Sequence, residues 1–304
     1  MTPLISVVTS TYNGATFLEQ SLRSVLGQRE VDFELIVVDD GSTDNTADIL
    51  QRLSSQEPRL RVLHQENRGL TQALIRGCAE ARGHYIARHD SDDISLPKRL
   101  EKQFLALSAT PSVSLISCQA QAIGPRDEPL YVSGVPKENA RESSEPLGGG
   151  PAGHGSTMFR AETYRTVGGY RKEFRYAQDW DLWLRLTERG NFLLLPEILY
   201  RYRIAESSIS TNRRSQQIRL GEAALQCAEA RRNSQSETPY LMEANRISSE
   251  NPPKGRSQSN SYFIGKCLLQ KGDVRGLRYL WRACRARMGL LSAVVGGHQT
   301  GKQK

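Results

Sequence analysis

Strand-like and helix-like segments alternate through the first 120 residues, and this alternation constrains the fold more than any other feature. The runs "LISVVTS" (4–10) and "FELIVVDD" (33–40) are β-branched and apolar, as in buried strands. Between them, "TFLEQSLRSVLGQ" (16–28) spaces its apolar residues at helical intervals. Further strands are predicted at 60–65, 84–88 and 112–120. The sequence therefore predicts an α/β fold with a mostly parallel central sheet flanked by helices.

Polar residues stand at the carboxyl ends of these predicted strands. They are Ser10, Thr11 and Tyr12 after the first strand, Asp40 at the end of the second, and Asp90 and Asp92 after the fourth. In open α/β sheets, ligands bind outside the carboxyl ends of the strands. We therefore expect these side chains to line one edge of the sheet, although about 80 residues separate the first from the last.

The segment "ARHDSDDISLP" (87–97) places Asp90, Asp92 and Asp93 within four positions, where their charges repel. A DxD pair after a buried strand suits Mg²⁺ or Mn²⁺, which prefer carboxylates, substrate phosphates and water as ligands. Taken alone, the same acids fit a solvated surface cluster or a run that caps the next helix at least as well. The metal interpretation therefore depends on the other motifs in the chain.

Several stretches, in order, resemble the family 2 glycosyltransferases and their GT-A fold. Those in the first half are "SVVTSTYNG" (6–14), "VVDDGSTDNT" (37–46), "NRGLTQALIRG" (67–77) and "GHYIARHDSDDISLPKRLEKQ" (83–103). Those in the second half are "HGSTMFR" (154–160), "GGYR" (168–171), "AQDWDLWLRL" (177–186) and "LYRYR" (199–203). Each motif is common alone, whereas the ordered set is specific, and the resemblance covers residues 4 to 210.

The resemblance implies a GT-A catalytic domain over 1–210, with a nucleotide-binding half (1–110) and an acceptor half (111–210). It implies an inverting transfer of a sugar from a nucleotide-diphosphate donor, favouring uridine, to a hydroxyl of a glycan or lipid-linked acceptor in cell-surface polysaccharide or glycoconjugate synthesis. The implied cofactor is a divalent cation, Mn²⁺ or Mg²⁺.

The resemblance also implies roles for single residues. Tyr12 would stack on the base, Asp40 would accept its ring N–H, and Asp179 would be the catalytic base. The nucleotide-binding set is Ser10, Thr11, Tyr12, Asp40, Arg68 and Asp90, and the metal-binding pair is Asp90 and Asp92. On the acceptor side, His154 either reaches into the cleft or is a solvated loop residue, and Trp180 either packs in the core or stacks on a sugar.

Three positions depart from the family pattern. Ile75 stands where asparagine is frequent, and His89 stands where a non-ionisable residue is usual. Ala205 replaces a histidine that in the family can approach the metal or the diphosphate, and His154 is a candidate substitute.

Two other functions are alternatives to sugar transfer. A sugar nucleotidyltransferase would need a Gly-rich, Arg-containing loop after the first strand, where this chain has "STYNGATF". A non-catalytic scaffold that binds sugar nucleotides would not need Asp90, Asp92 and Asp179 together.

The chain beyond residue 210 is basic, with 17 Lys and Arg against 6 Asp and Glu, whereas the first 210 residues carry 24 against 27. We predict a helical extension over 211–304, with a polar linker at 233–261 and a basic amphipathic helix near 264–292. That helix either contacts an anionic membrane surface or packs its apolar stripe on the catalytic domain. Aromatic platforms for nucleic acid are missing, so nucleic acid is not an expected partner.

The compartment is inferred from the cysteines and the N-terminus. The five cysteines show no CxxC spacing, which is typical of reduced thiols. The N-terminus has no basic segment before its short apolar run, and no run approaches 18 apolar residues. The sequence therefore predicts a cytoplasmic protein, peripheral to the inner face of the membrane if the tail binds there.

Overall fold

The computed structural model describes residues 2–134, 142–143, 151–205, 213–251 and 260–285. These residues form an α/β fold around one curled sheet. The strands are β1 (Ile5–Thr11), β2 (Phe33–Asp39), β3 (Leu60–His64), β4 (Tyr85–Arg88), β5 (Ile94–Ser95), β6 (Val113–Ile123), β7 (Pro129–Ser133), β8 (Glu142–Ser143), β9 (Met158–Arg160) and β10 (Asn191–Arg203).

The helices follow the strands along the chain. They are α1 (Leu18–Leu26), α2 (Thr46–Gln56), α3 (Leu70–Ala79), α4 (Arg99–Ala109), α5 (Ala161–Thr166), α6 (Gln178–Thr187), α7 (Arg214–Arg232), α8 (Thr238–Ser249), α9 (Ser261–Gln270) and α10 (276–285). A short 3₁₀ turn, His154–Ser156, precedes β9.

The strands pair in the order β3-β2-β1-β4-β9-β6-β10-β5, with β7 beside β6 and β8 beside β10. The pairs β1–β2, β1–β4 and β2–β3 are parallel. Strand β9 is antiparallel to both β4 and β6, and β10 is antiparallel to β5 and β8. The predicted α/β fold with flanking helices is confirmed, and the first four strands pair in parallel with one another.

Helices cover both faces of the parallel half because side chains alternate along each strand. Val7 of β1 packs in a cluster with α1, α2 and α4. Its neighbour Val8 packs in a second cluster with α3 and α6. In β2, Val37 and Ile36 divide between the same two clusters. Strands buried on both faces read as unbroken apolar runs, which is why they were visible in the sequence.

The chain divides into two compact units. The first contains Met1–Gln121, Val132–Tyr202 and Arg213–Asn251, and the second contains Ala122–Tyr131, Arg203–Asn212 and Pro252–Lys304. The predicted domain boundary at residue 210 stays a prediction.

Helix α8 lies within the range predicted as a polar linker, so the linker interpretation of 233–261 is wrong over Thr238–Ser249. Pro239 lies in the first turn, where its missing N–H costs no hydrogen bond. Ala244 and Ile247 are buried and pack with α7 in a cluster of the first unit. The polar composition of the segment hid a short apolar stripe.

The predicted basic helix near 264–292 is also wrong as a single element. Helix α9 ends at Gln270, and Gly272 has a φ of +75°. The Gly272 N–H donates to Leu269 O and the Asp273 N–H to Leu268 O, both at 2.9 Å. A glycine with positive φ, whose N–H and that of the next residue donate back to carbonyls of the last turn, is a common way for a helix to end. Residues 286–292 lie outside the described part of the chain.

In the second unit, α10 is fixed against the turn between β6 and β7. The buried carboxylate of Glu128 accepts hydrogen bonds from the Arg278 guanidinium and, at 3.0 Å, from the Tyr279 hydroxyl. Within the same unit, Arg203 Nη1 lies 2.6 Å from Asp127 Oδ1. Across the described residues, every helix is too short or too polar to cross a bilayer.

Candidate active site

The carboxyl ends of β1, β2 and β4 lie side by side at one edge of the sheet. Thr11, the last residue of β1, is in register with Asp39, the last residue of β2. On the other side of β1, Arg88 at the end of β4 is in register with Val8. The Asp40 N–H donates to Thr11 O at 2.9 Å. The strand ends that carry the predicted nucleotide- and metal-binding residues are therefore adjacent.

The end of β1 presents one exposed aromatic ring and two sheltered hydroxyls. Tyr12 is 52% exposed, Ser10 is half-buried and Thr11 is buried. The buried Thr11 Oγ1 lacks a hydrogen-bond partner within the described part of the chain. The next residue, Asn13, accepts a hydrogen bond from the Thr43 N–H at 2.7 Å, which ties this loop to the start of α2.

Asp40 is buried and holds the loop that carries Arg68. Its Oδ1 accepts hydrogen bonds from Gln65 Nε2 at 2.7 Å and from the Arg68 N–H at 2.9 Å. Its Oδ2 accepts the Gly69 N–H at 2.8 Å. The backbone of Arg68 is thus fixed, while its side chain is exposed at the same sheet edge.

The acidic turn after β4 is closed by the Asp93 N–H, which donates to Asp90 O at 3.1 Å. Asp90 and Asp92 are partly exposed, whereas Asp93 is buried. Helix α4 begins at Arg99, with Lys98 before it, so Asp93 does not cap that helix. The turn is also fixed from β10, because the Asp90 N–H donates to Tyr200 Oη at 3.1 Å.

A buried guanidinium lies behind the turn. Arg88 is completely buried, and its Nη2 donates to Asp90 Oδ1 at 2.7 Å. Its Nη1 donates to Val8 O, and its Nε donates to His154 Nε2 at 3.3 Å. Sequence reasoning did not select Arg88, because an arginine at the end of an apolar strand gives no signal by itself.

His154 is an internal hydrogen-bond acceptor and not a solvated loop residue. Its Nε2 lies 2.7 Å from Tyr170 Oη and also accepts from Arg88, which has no acceptor of its own. The ring meets Trp183 edge-on, with centroids 6.3 Å apart. Burial and the charge of Arg88 hold the pKa of His154 well below its ordinary value, so the imidazole is neutral.

The three residues that depart from the family pattern each have a packing or hydrogen-bond partner in the fold. His89 is fully buried, with Nε2 2.8 Å from Ser21 Oγ and Nδ1 3.2 Å from Ser95 Oγ. Burial and nearby arginines lower its pKa far below the ordinary value. Ile75 packs against the core cluster around α3. Ala205 O accepts a hydrogen bond from Asn260 Nδ2 at 2.8 Å within the second unit.

Asp179 lies in the first turn of α6 and is electrostatically linked to the acidic turn. Burial raises the pKa of Asp179 to about 6, and the negative charge of Asp90 adds to that rise. The Trp180 N–H, which donates to Asp179 Oδ1 at 2.9 Å, and the charge of Arg88 act in the opposite direction. Asp179 is therefore close enough to Asp90 for their charges to interact, although the two residues are about 90 positions apart in the chain.

The other residues of the "QDWD" motif divide between surface and core. Trp180 is 40% exposed, so packing in the core does not describe it, whereas Trp183 is buried. Asp181, which also lies in the first turn of α6, is a buried ion-pair partner, with Oδ2 3.2 Å from Arg185 Nε and Oδ1 3.7 Å from Arg171 Nη1.

The site suits a hard cation that takes few ligands from the protein. The described residues contain no cluster of three or more His, Cys, Asp or Glu side chains that could enclose a metal. Mg²⁺ and Mn²⁺ are often held by one or two carboxylates together with substrate phosphates. The Asp90 side chain is 32% exposed, and its Oδ2 is the oxygen that Arg88 does not bind. Asp90 and Asp92 therefore fit such an ion.

Sequence comparison agrees with this geometry. Residues 6–167 match the family profile described as Glycosyl transferase family 2. The chain belongs to that family. Among its relatives, the Bacillus subtilis (strain 168) glycosyltransferase EpsE is 35% identical over 221 residues, covering 70% of this chain and 77% of EpsE. TuaG of the same organism, named as a teichuronic acid biosynthesis glycosyltransferase, is 32% identical over 216 residues, covering 69% of this chain and 83% of TuaG.

Solved glycosyltransferase structures share the fold. The Staphylococcus aureus TarS structure with UDP-GlcNAc superposes with a TM-score of 0.60 at 18% identity, covering 81% of this chain and 70% of TarS. The Pyrobaculum calidifontis mannosyltransferase PcManGT, with GDP-Man and Mn²⁺, gives a TM-score of 0.56 at 18% identity, covering 97% of this chain and 80% of that one. At these identities the likeness shows the fold alone, which is of the predicted GT-A type.

Proposed function

We propose that this family 2 glycosyltransferase moves a sugar from a uridine-diphosphate donor to a hydroxyl of a glycan or lipid-linked acceptor, with inversion at the anomeric carbon. One observation carries the proposal. Asp179 has a pKa raised to about 6 and interacts with the charge of Asp90, which supports a proton acceptor near the acidic turn. A general base is most effective when its pKa lies near the working pH.

The donor is proposed to bind at the carboxyl ends of β1 and β2. The exposed ring of Tyr12 is suited to stacking on a base, with the hydroxyls of Ser10 and Thr11 beside the ribose. A carboxylate has about four lone-pair positions, and three protein donors already bind Asp40. A fourth is left for the ring N–H of uracil. The UDP-GlcNAc complex of TarS supports a uridine donor, and the GDP-Man complex of PcManGT is the alternative.

Asp90 Oδ2 and Asp92 are proposed to hold Mn²⁺ or Mg²⁺ together with the donor phosphates. The cation would neutralise the charge that develops on the leaving nucleoside diphosphate. The exposed guanidinium of Arg68 would contribute to the same neutralisation from the opposite side. The complex of PcManGT with Mn²⁺ supports this assignment.

The proposed transfer is one displacement. The Asp179 carboxylate takes the proton of the acceptor hydroxyl as that oxygen attacks the anomeric carbon opposite the diphosphate. The new glycosidic C–O bond forms while the bond between the anomeric carbon and the diphosphate oxygen breaks. The nucleoside diphosphate leaves with the bonding electron pair, and Asp179 releases its proton after the product departs.

The acceptor is proposed to enter beside α6, where the exposed face of Trp180 suits stacking on a sugar ring. His154 would act there indirectly, because its Nε2 is engaged by Arg88 and Tyr170. The name of TuaG, teichuronic acid biosynthesis, supports an acceptor that is part of a cell-surface polysaccharide. The catalytic part is proposed to span 1–210. The five cysteines are free thiols, which supports a cytoplasmic location.

A panel of nucleotide sugars with Mn²⁺ tests the proposal, with release of nucleoside diphosphate and of free sugar measured in the same samples. We expect a uridine-linked donor to be turned over, and Asp179→Asn to bind it without turnover. Asp48→Asn, on the exposed face of α2, is the matched control and should behave as wild type. Release of pyrophosphate would instead indicate a nucleotidyltransferase, and metal-dependent binding without any turnover would indicate the scaffold function.

We also propose that the second unit contacts an anionic membrane surface through α9 and α10. Residues 260–285 carry six Lys and Arg against one Asp. Tyr279 of α10 is buried against Glu128, whereas Val274 (72%), just before the helix, and Leu277 (59%) and Trp281 (58%) on it are exposed. The packing interpretation of this apolar stripe is therefore not supported for these three residues. Apolar side chains flanked by arginines suit a lipid interface.

Vesicle sedimentation tests this contact. The double substitution Leu277→Glu and Trp281→Glu should abolish binding to anionic vesicles, as should deletion of 264–304. Leu105→Glu, on a 54% exposed leucine of α4, is the matched control and should bind as wild type. High salt and zwitterionic lipid should weaken binding by the wild type. Equal binding by the double variant and the wild type would contradict the proposal, as would a salt-resistant self-association at this face.

A further inference from the structure

Arg88 places a complete positive charge inside the protein at the end of β4. Burying a guanidinium is costly unless hydrogen-bond acceptors surround it. The acceptors here are Val8 O, Asp90 Oδ1 at 2.7 Å and His154 Nε2 at 3.3 Å. Each of the three guanidinium nitrogens therefore has an acceptor, and only one of these acceptors is a carboxylate.

The contact with Asp90 determines which oxygen of that carboxylate faces the site. Oδ1 is engaged by Arg88, and the Asp90 N–H is engaged by Tyr200. The Asp90 side chain is 32% exposed, and Oδ2 is the carboxylate oxygen that the buried Arg88 does not bind. A charge-assisted hydrogen bond at 2.7 Å is short and strong, and it restricts rotation of the carboxylate.

The other end of the guanidinium reaches the acceptor side. Its Nε donates to His154 Nε2, which also accepts the Tyr170 hydroxyl at 2.7 Å. The imidazole packs edge-on against Trp183 of α6, the helix that begins with Asp179. The positive charge of Arg88 also lowers the pKa of Asp179 against the larger effect of burial. One side chain therefore connects the acidic turn with the helix of the proposed base.

We propose that Arg88 is a positioning residue for sugar transfer: its guanidinium holds Asp90 with Oδ2 facing the donor and ties the acidic turn, through His154, to helix α6. The inference rests on the proposed function. It assigns to Arg88 no contact with either substrate.

Two substitutions separate the charge of Arg88 from its geometry. Arg88→Lys keeps a positive charge but loses the planar fork that binds Asp90 and His154 together. Arg88→Met loses both the charge and the hydrogen bonds at similar side-chain length. A purely structural role predicts that both variants lose thermal stability and nothing else.

Affinity for Mn²⁺ in the presence of UDP is the first readout, measured from the electron paramagnetic resonance signal of free Mn²⁺. We expect both variants to lose about 10- to 100-fold in affinity, as outer partners of metal ligands commonly do. Steady-state kinetics are the second readout. We expect kcat to fall in both variants, while the KM for the acceptor stays near the wild-type value.

The pH dependence of kcat/KM is the third readout. Asp179 faces the charges of Asp90 and Arg88 and the hydroxyl of Tyr170. Arg88→Met should therefore move the acidic limb of the profile to higher pH, because a cation that favours the ionised carboxylate is gone. Arg88→Lys should leave the limb in place.

The matched control is Arg203→Lys, at another buried arginine whose partner is a carboxylate, Asp127 in the second unit. It should lose stability without any change in Mn²⁺ affinity or in the pH limb. If neither Arg88 variant folds, Tyr170→Phe removes one hydroxyl from the same network at constant volume, and it should lower kcat without changing donor binding.

The inference and the proposed function fail in different ways. A wild-type protein that neither binds UDP with Mn²⁺ nor transfers sugar would end the proposed function. An active wild type, with an Arg88→Lys variant that keeps its Mn²⁺ affinity and its kcat, would overturn only the role of Arg88. If neither Arg88 variant folds, a Tyr170→Phe variant with the kcat of the wild type would also overturn the role of Arg88.

Discussion

Asp179 is a weaker acid than an exposed aspartate, because burial raises its pKa from 3.8 to about 6. Its charged form is therefore disfavoured in the folded protein. Below the unfolded pKa, Asp179 is protonated in both states and does not reduce the stability of the fold. The loss of stability grows as the pH rises toward the folded pKa, and it is constant above that pKa. A pKa difference of two units corresponds to about 3 kcal/mol of folding stability. Because Asp179 is partly exposed to solvent, we expect a loss of about 1–3 kcal/mol.

Asp179→Asn should therefore separate activity from stability. We expect kcat to fall about 10²- to 10⁴-fold, because a positioned base is lost. Without metal, the free energy of unfolding of the variant relative to wild type should rise between about pH 4 and about pH 7. Urea denaturation at the two pH values measures this. A variant that loses stability equally at both would contradict the pKa assignment.

The same group sets the expected pH profile of the enzyme. The base must be ionised to accept a proton, so kcat/KM should rise with pH and level off above the pKa of Asp179, which is about 6. Initial rates at subsaturating donor measure this limb. A limb that survives unchanged in Asp179→Asn would show that another group controls it.

Gly155 tests how closely the acidic turn is packed. A Cβ at this position would come within 2.0 Å of Tyr200 Oη and 3.0 Å of Asp90 Oδ2. Gly155→Ala should cost about 1–3 kcal/mol by overpacking and should abolish transfer. Gly153→Ala is the control, because no atom lies within 4 Å of its Cβ position and its backbone is extended. Thermal unfolding and initial rates of both variants decide the point.

For single residues, the sequence could indicate which acids lie at the same sheet edge but not which side chains hydrogen-bond to them. Strand ends on a parallel sheet converge by geometry, so Asp40 and Asp90 were predictable neighbours. The pairing of Arg88 with Asp90 was not, because a buried cation is recognisable only once its surroundings are known. Tyr200 illustrates the same limit, since its hydroxyl reaches Asp90 from a strand about 110 residues away.

Among the elements, a glycine explains why the prediction of a single basic helix in the tail was wrong. The apolar spacing over 264–292 predicted one helix, whereas Gly272 ends α9 and α10 starts anew at 276. Gly265 and Gly276 then allow the two helices to touch, since a Cβ on Gly276 would come within 2.6 Å of Gly265 O. A periodic pattern does not report such a turn, because both helices keep apolar residues at similar intervals.

The element-scale prediction concerns Glu128, which anchors α10. Glu128→Gln leaves the Arg278 guanidinium without its carboxylate, and because that arginine is partly exposed we expect a loss of about 1–3 kcal/mol. Faster amide exchange should be confined to α10. Glu197→Gln, which breaks an exposed pair with Lys102, is the control and should cost about 0–1 kcal/mol. Equal effects of the two substitutions would contradict the anchoring role.

On the scale of the whole molecule, the fold joins its parallel half to its second half by inserting β9 between β4 and β6. The sequence predicted the parallel half because its strands are unbroken apolar runs. The order of the second half was not predictable, because Met158–Arg160 is too short to register as a strand. That short strand places the His154–Ser156 turn beside Arg88, and so the acceptor half meets the donor half.

This arrangement predicts that donor and cation stabilise the protein together. A ligand that binds only the folded state at about 100 times its Kd adds about 2.7 kcal/mol, which for a chain of this size is a rise in Tm of several degrees. If the donor phosphates complete the coordination of the cation by Asp90 and Asp92, UDP with Mn²⁺ should raise the Tm by more than the sum of the separate effects. Asp92→Asn should remove the excess while leaving the effect of UDP alone. Additive shifts in the wild type, or an excess that survives in Asp92→Asn, would mean that the cation does not bridge this turn and the diphosphate.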